Sequence, residues 1–509
     1  MAPRLLAVLF ATLVLAQAPL HAQQGDGEQQ QGGRGQRGAQ SEQRPSSTAP
    51  ADRLKPLPPK SVTQQRVGDL AFTATTGAIR IFDLQQGTPL ADVAYMAYSR
   101  DDNNVAQRPV TFVFNGGPGY ASAWLNLGAI GPWRLPMDPA AAVPSASPVT
   151  QENAESWLPF TDLVFIDPPA TGYSRIYGGD DVRKRFFSVD GDIDVLAATI
   201  RRWIEENNRM LSPKYIAGES YGGFRAPKLA HALQTDQGYG VSGLVMISPV
   251  LDFSRFNQRS GLLDQVARLP SYAASARTMQ GANVTRESLA DVEAYARGDF
   301  LADLMRGVKD QAALDRLTKR VSELTSLDVD VVRNLGGRVP TQVFLRELHR
   351  SAKRIGSAYD ATVTGFDPTP YSPRNDSDDQ MRLGLHAPLV SAMVALYHDK
   401  LNWNVEGARY AFISEQASRQ WDWGHGGAEA VSDFRKALAL DPNMRVLIAH
   451  GLTDVVTPYL ETQMVLDQMP NYGDPARVRF QTYTGGHMFY SSDESRRKFR
   501  DDARAIYTR

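Results

Sequence analysis

The chain has 509 residues, long for one domain and natural for an enzyme core that carries an insertion. Apolar residues make up 42%, enough for a large core, and 55 Lys+Arg against 56 Asp+Glu leave a net charge of −1. Near-neutrality excludes a global attraction to nucleic acid or to an anionic membrane. With no cysteine, disulfides, thiol catalysis and thiolate metal sites are excluded as well.

Residues 1–22 read as a secretory signal: Arg4 gives a positive start, Leu5 to Ala16 is an apolar run, and a small-residue site ends at Ala22. That run is too short to span the ~30 Å of a bilayer's hydrocarbon. The expectation is a secreted or periplasmic protein with no stable membrane insertion, and the lack of disulfides suits a bacterial envelope. Residues 23–60 are rich in Gln, Gly, Arg, Ser and Pro, so they read as a disordered leader.

Order is expected from near Gln64. Phe72–Thr76 and Ala78–Leu84, separated by Gly77, read as a hairpin. Short apolar strands are then expected at Val110–Asn115, Leu163–Asp167, Lys214–Gly218, Gly243–Ser248, Arg445–Gly451 and Val478–Thr482. Between the second and third, Ile193, Leu196, Ala197, Ile200 and Ile204 share one face of a helix over Ile193–Met210. Such strands alternating with helices predict an α/β architecture, a mostly parallel central sheet covered by helices. From Phe253 to about Asn402 the pattern turns helical and charged. This predicts a mainly helical cap (residues 253–402) inserted between a first (61–252) and a second (403–509) part of the sheet domain.

Gly218-Glu219-Ser220-Tyr221-Gly222 fits G-x-S-x-G, between an expected strand and a helix beginning near Phe224. A serine on that sharp turn is the nucleophile of the α/β-hydrolase fold, its glycines relieving crowding. An ordinary strand-to-helix turn is the bland alternative. In this fold the base and acid follow in the order Ser, acid, His. Of the eight histidines only His487 follows the best-placed acid, Asp454, which lies just past the strand Arg445–Gly451. Asp454 could instead cap the next helix, and Asp467 and Asp474 are rivals that follow no strand directly. Asn115-Gly116-Gly117-Pro118-Gly119 ends an early strand; Gly117 and Tyr221 are the expected oxyanion donors. A phosphate loop lacks its Lys-Ser/Thr there. Asp190-Gly191-Asp192-Ile193-Asp194 lacks the rest of a calcium loop and reads as a helix start. No metal and no cofactor is expected.

Three matches in order, Asn115 to Gly119, Gly218 to Gly223 and Gly486-His487-Met488, make the chain resemble the serine carboxypeptidases, peptidase family S10. Fainter matches are Ser156-Trp157, Asp167-Pro168, Thr171 to Ser174, and Gly451 with Asp454. The resemblance implies an acyl-enzyme on Ser220 and a peptide substrate with a free C-terminus. It assigns substrate binding to Asn115, Gly116, Glu219 and Met488, Asn115 and Glu219 holding the terminal carboxylate. A carboxyl facing a carboxylate must keep its proton, which implies an acidic optimum. The chain departs from the family pattern at Val113, Tyr120, Ala129 and Leu452. An esterase or acyltransferase with the same triad is the alternative function. A non-catalytic binding protein is a third reading, disfavoured by the intact Ser220, Asp454 and His487.

Overall fold

The computed structural model describes residues 56–101, 106–138, 142–256, 261–372, 377–425 and 427–507. The expected signal and most of the expected leader lie outside the described residues. Nine strands form the main path of a twisted sheet. In chain order they are β1 (Ser61–Val67), β2 (Leu70–Phe82), β3 (Pro89–Arg100), β4 (Val110–Phe114), β5 (Asp162–Ile166), β6 (Lys214–Glu219), β7 (Gly243–Ile247), β8 (Arg445–Gly451) and β9 (Val478–Tyr483). Their spatial order is β1-β2-β3-β5-β4-β6-β7-β8-β9. The last six in that order run parallel; β1, β2 and β3 add an antiparallel edge.

This is the α/β-hydrolase fold, and the cause is visible in the strands. Residues of β4, β6, β7 and β8 alternate between two cores: Leu244 and Met246 enter one, Val245 and Ile247 the other. Both faces are buried, so the strands are apolar throughout. On one face pack helices α1 (Val189–Glu206), α2 (Tyr221–Ala232) and, further on, Val431–Leu440. α1 starts four residues before the expected Ile193, because Ser188 caps it by accepting from the Gly191 N–H. α2 starts at Tyr221 rather than near Phe224.

Between β7 and β8 lie helix α3 (Leu262–Met279) and further helices, with one short strand pair, Arg354–Gly356 with Thr364–Phe366. Their core includes Val266, Leu269 and Tyr272, closed by Leu452, Val455, Tyr459 and Leu460 from the chain after β8. Helix α4 (Gln380–Ala395) leaves this segment to pack Met381, Leu385 and Leu389 against the other sheet face. The chain after β8 forms helix α5 (Tyr459–Asp467), and the C-terminal α6 (Asp493–Tyr507) also covers that second face.

The expected hairpin about Gly77 is corrected. Gly77 lies inside the single strand β2, paired with Tyr95 of β3, and the turn is at Gly68, where φ is +54°. Glycine suits the strand there because a Cβ would lie 3.3 Å from the Tyr95 hydroxyl.

Candidate active site

Parallel strands end at one edge of the sheet, so the turns after β4, β6, β7, β8 and β9 converge there. Ser220 follows β6 with φ +59° and ψ −120°, a conformation costly for a residue with a side chain. The neighbours enforce it. A Cβ on Gly218 would lie 2.0 Å from the Gly222 carbonyl, and one on Gly222 would lie 2.5 Å from the Phe114 carbonyl. Ser220 donates its N–H to the Ile247 carbonyl at 2.9 Å, tying the turn to β7. Gly218→Ala should therefore cost about 1–3 kcal/mol or more in stability. A urea melt would show it as a lower midpoint at unchanged slope; an unshifted midpoint would contradict so tight a turn.

The glycine turn after β4 presses on this elbow. A Cβ on Gly116 would lie 2.6 Å from the Tyr221 nitrogen and 2.8 Å from the Ser220 Cβ. Gly117 has φ +103°. The Tyr221 N–H opens a helix, where position leaves the donor without an intrahelical acceptor.

His487 and Asp454 meet at the same edge. His487 Nδ1 lies 2.8 Å from Asp454 Oδ2, and both residues are buried. Asp454 Oδ1 accepts the N–H groups of Val456 (2.8 Å) and Thr457 (3.0 Å). Thr457 Oγ1 stands 2.7 Å from Asp454 Oδ2 and 3.1 Å from His487 Nδ1. The His487 backbone is fixed at both ends: its N–H donates to the Tyr359 carbonyl, and its carbonyl accepts from the Ser248 hydroxyl at 2.9 Å. The Tyr359 ring meets the imidazole edge-on, centroids 5.2 Å apart. Burial alone would lower the imidazole pKa, but the Asp454 carboxylate beside it wins and raises it. Ser220, Gly117 and Thr457 line one cavity, which brings the serine to the residue that touches the imidazole.

Glu219, beside the serine, is buried. Its pKa is pushed up to about 7 by burial, against the pull of positive charge on His487. Tyr490 donates its hydroxyl to Glu219 Oε2 at 2.5 Å. The Asn115 side chain also bonds Glu219, while its Oδ1 accepts the Leu125 N–H at 3.0 Å. Asn115 therefore turns its amide donors toward the acid.

Met488 is buried in the core on the α6 face. The rival acids lie elsewhere. Asp467 pairs with Arg297 at 2.5 Å, and Asp474 caps a short 3-10 turn through the Ala476 N–H. Sequence reasoning missed Tyr490, Thr457, Ser248 and Tyr359. Only Thr457 left a trace, a hydroxyl three residues past Asp454 where a turn-capping partner sits.

The serine carboxypeptidase family model matches residues 91–297. That stretch includes the glycine turn and Ser220 and stops before Asp454 and His487. A pheromone-processing carboxypeptidase KEX1 of Yarrowia lipolytica is 32% identical over 145 residues, 28% of this chain and 22% of that protein. A pheromone-processing carboxypeptidase kex1 of Aspergillus terreus is 25% identical over 241 residues, 46% of this chain and 35% of that protein. The chain thus spans between about a fifth and a third of the length of the curated relatives it matches. Among solved structures, a prohormone-processing carboxypeptidase of Saccharomyces cerevisiae shares the fold with a TM-score of 0.54 at 14% identity, over 86% of this chain and 91% of that one. The resemblance read from the motifs is to this same family.

Proposed function

We propose that this chain is a serine-type carboxypeptidase, releasing C-terminal residues through an acyl-enzyme on Ser220. The observation that carries the reading is the buried 2.8 Å bond between His487 and Asp454, placed by Thr457 against the cavity that Ser220 lines. Asp454 holds the proton on Nδ1, leaving Nε2 free to take the proton of the Ser220 hydroxyl. Ser220 Oγ attacks the last peptide carbonyl. The N–H groups of Gly117 and Tyr221 receive the developing oxyanion, each such donor being worth ~3 kcal/mol. His487 then protonates the leaving amine, and water reverses the sequence on the acyl-enzyme.

Selection of a free C-terminus falls to Glu219 and Asn115, with Gly116 and Met488 in supporting positions. Glu219 accepts from Tyr490 on one oxygen. When protonated, it can donate from the other to the substrate's carboxylate, as Asn115 can with its amide. The decisive assay offers one peptide as free acid and as C-terminal amide, together with a small ester. Cleavage confined to the free acid supports the reading; ester turnover alone supports an esterase. Activity that survived Ser220→Ala would refute both.

The sign of the pH dependence follows from the raised pKa of Glu219. Below about pH 7 the carboxyl keeps its proton and binds a carboxylate; above it the charged form repels one. His487 must be neutral to act as base, and its pKa is raised too, so the two groups titrate as a coupled pair. The peptide carboxylate selects the state with the proton on Glu219. Peptide kcat/KM should accordingly fall about tenfold per pH unit on the alkaline side. In Glu219→Gln, whose amide donates without titrating, the alkaline fall should disappear. Parallel profiles for wild type and variant would remove Glu219 from carboxylate binding.

We place the protein outside the cytoplasm on its N-terminal signal. A mature N-terminus mapped at or just after Gln23 would support this, and an intact Met1 in the recovered protein would not.

A further inference from the structure

Beneath the Ser220 elbow lies an ion pair that the proposed chemistry does not use. Arg225, on α2, is fully buried, and its Nε donates to Asp192 Oδ2 of α1 at 2.6 Å. Asp192 is buried too, so the pair is shut off from solvent. Desolvation offsets most of what such a pair contributes, and apolar side chains in its place often hold a fold as well or better. This pair is not even fully satisfied: Nη2 of Arg225 has no hydrogen-bond partner among the described residues. Stability is therefore a poor reason for it.

The other contacts of the guanidinium lead to the site. Nη1 donates to the main-chain carbonyl of Asn115 at 2.6 Å. The guanidinium carbon stands 4.7 Å from the centroid of the Tyr221 ring, a cation–π distance. Tyr221 carries one expected oxyanion donor in its own N–H, and Asn115 opens the turn whose Gly117 N–H is the other. That turn has little stiffness of its own. Gly116 and Gly117 lack the Cβ that narrows backbone torsion, and Gly117 sits at φ +103°. The peptide carrying the Gly117 N–H is tied back by a long bond, 3.3 Å from the Tyr120 N–H to the Gly116 carbonyl. The Asn115 carbonyl, one peptide earlier, is the tightly held point. It also lies 3.1 Å from where a Cβ on Gly222 would stand, so it borders the elbow directly.

We infer that Arg225 is a positioning residue for the oxyanion hole. It holds the Asn115 carbonyl and the Tyr221 ring together, which aims both backbone donors at one point. Asp192 fixes the guanidinium in the orientation that does so. Arginine suits the task because its rigid planar fork serves two acceptors at set angles, where lysine offers a point charge. Being fully buried, Arg225 acts through these donors and not on the substrate. The inference rests on the reading of Ser220 as nucleophile and of Gly117 and Tyr221 as oxyanion donors. Selection of a free C-terminus does not enter it.

The test separates aim from stability. Asp192→Leu combined with Arg225→Met replaces the pair by apolar side chains and leaves no buried charge. The urea midpoint should stay near that of wild type or rise. On p-nitrophenyl butyrate kcat should nevertheless fall by about ten- to a hundredfold, less than the ~10²–10³ of a donor removed outright. Acylation and deacylation both pass through an oxyanion, so both slow together and KM should hold. Native stability with native kcat overturns the inference, and so does a raised KM at unchanged kcat. Should the double variant not fold, Arg225→Lys keeps a charge beside Asp192 without the fork. A fall in its kcat at constant KM supports the role, and wild-type kcat overturns it. Ester turnover that survives Ser220→Ala, or none by wild type, overturns the nucleophile reading itself and this inference with it.

Discussion

On the proposed reading, His487→Ala should lower kcat/KM for a free-acid peptide by about 10⁶-fold, and Ser220→Ala in the same protein should lower it little further. A nucleophile and its base act as a unit, so the first deletion removes nearly all that either supplies. Among the described residues, no other histidine is bonded to Asp454. His450, the nearest in sequence, is fully buried, with Nε2 3.0 Å from the Thr462 hydroxyl. Burial pushes its pKa down to about 4, and its Nε2 is taken up by that hydroxyl of α5. The variant should still fold, because the two contacts that fix residue 487 to Tyr359 and Ser248 are made by its backbone. Steady-state kinetics on purified single and double variants, with circular dichroism as the folding control, decide it. Losses that add, each about as large in the presence of the other, would mean that the imidazole does not serve this hydroxyl.

The parallel half of the sheet was legible in the sequence because β4 to β8 are buried on both faces, and such strands are written as uninterrupted apolar runs. The antiparallel edge was not. β1 alternates half-buried and exposed positions, carrying Gln64, Gln65 and Arg66 among them, and no apolar run announces it. Gly77 then read as a turn, when its role is to let the Tyr95 hydroxyl close in from the neighbouring strand. In the site, chain order picked out Asp454 and His487, which share a hydrogen bond, because a parallel sheet turns order along the chain into nearness at one edge. What surrounds them is set by tertiary packing. Tyr490 reaches Glu219 across 271 residues of sequence, and no local pattern marks either as the other's partner.

Asp454→Asn should lower kcat by about 10⁴-fold while leaving the fold intact. The environment of Asp454 dictates how an amide would sit. One carboxylate oxygen is claimed by the N–H groups of Val456 and Thr457 at 2.8 and 3.0 Å, so the amide oxygen must take that place. The NH₂ then faces His487 Nδ1 and Thr457 Oγ1, the two groups around the other oxygen. Facing a donor, the imidazole keeps Nδ1 unprotonated and carries its proton on Nε2, the nitrogen that must accept from Ser220. The base is thus present, in place and in the wrong tautomer. Thr457 can accept the second amide hydrogen, so no buried polar group is orphaned and stability should change little. The same substitution also removes the carboxylate that raises the imidazole pKa, so the acidic limb of the pH profile should move down. Raising the pH should recover part of the activity on esters, where hydroxide can remove the Nε2 proton. A tenfold loss or less, with the acidic limb unmoved, would mean that Asp454 merely caps the turn into α5.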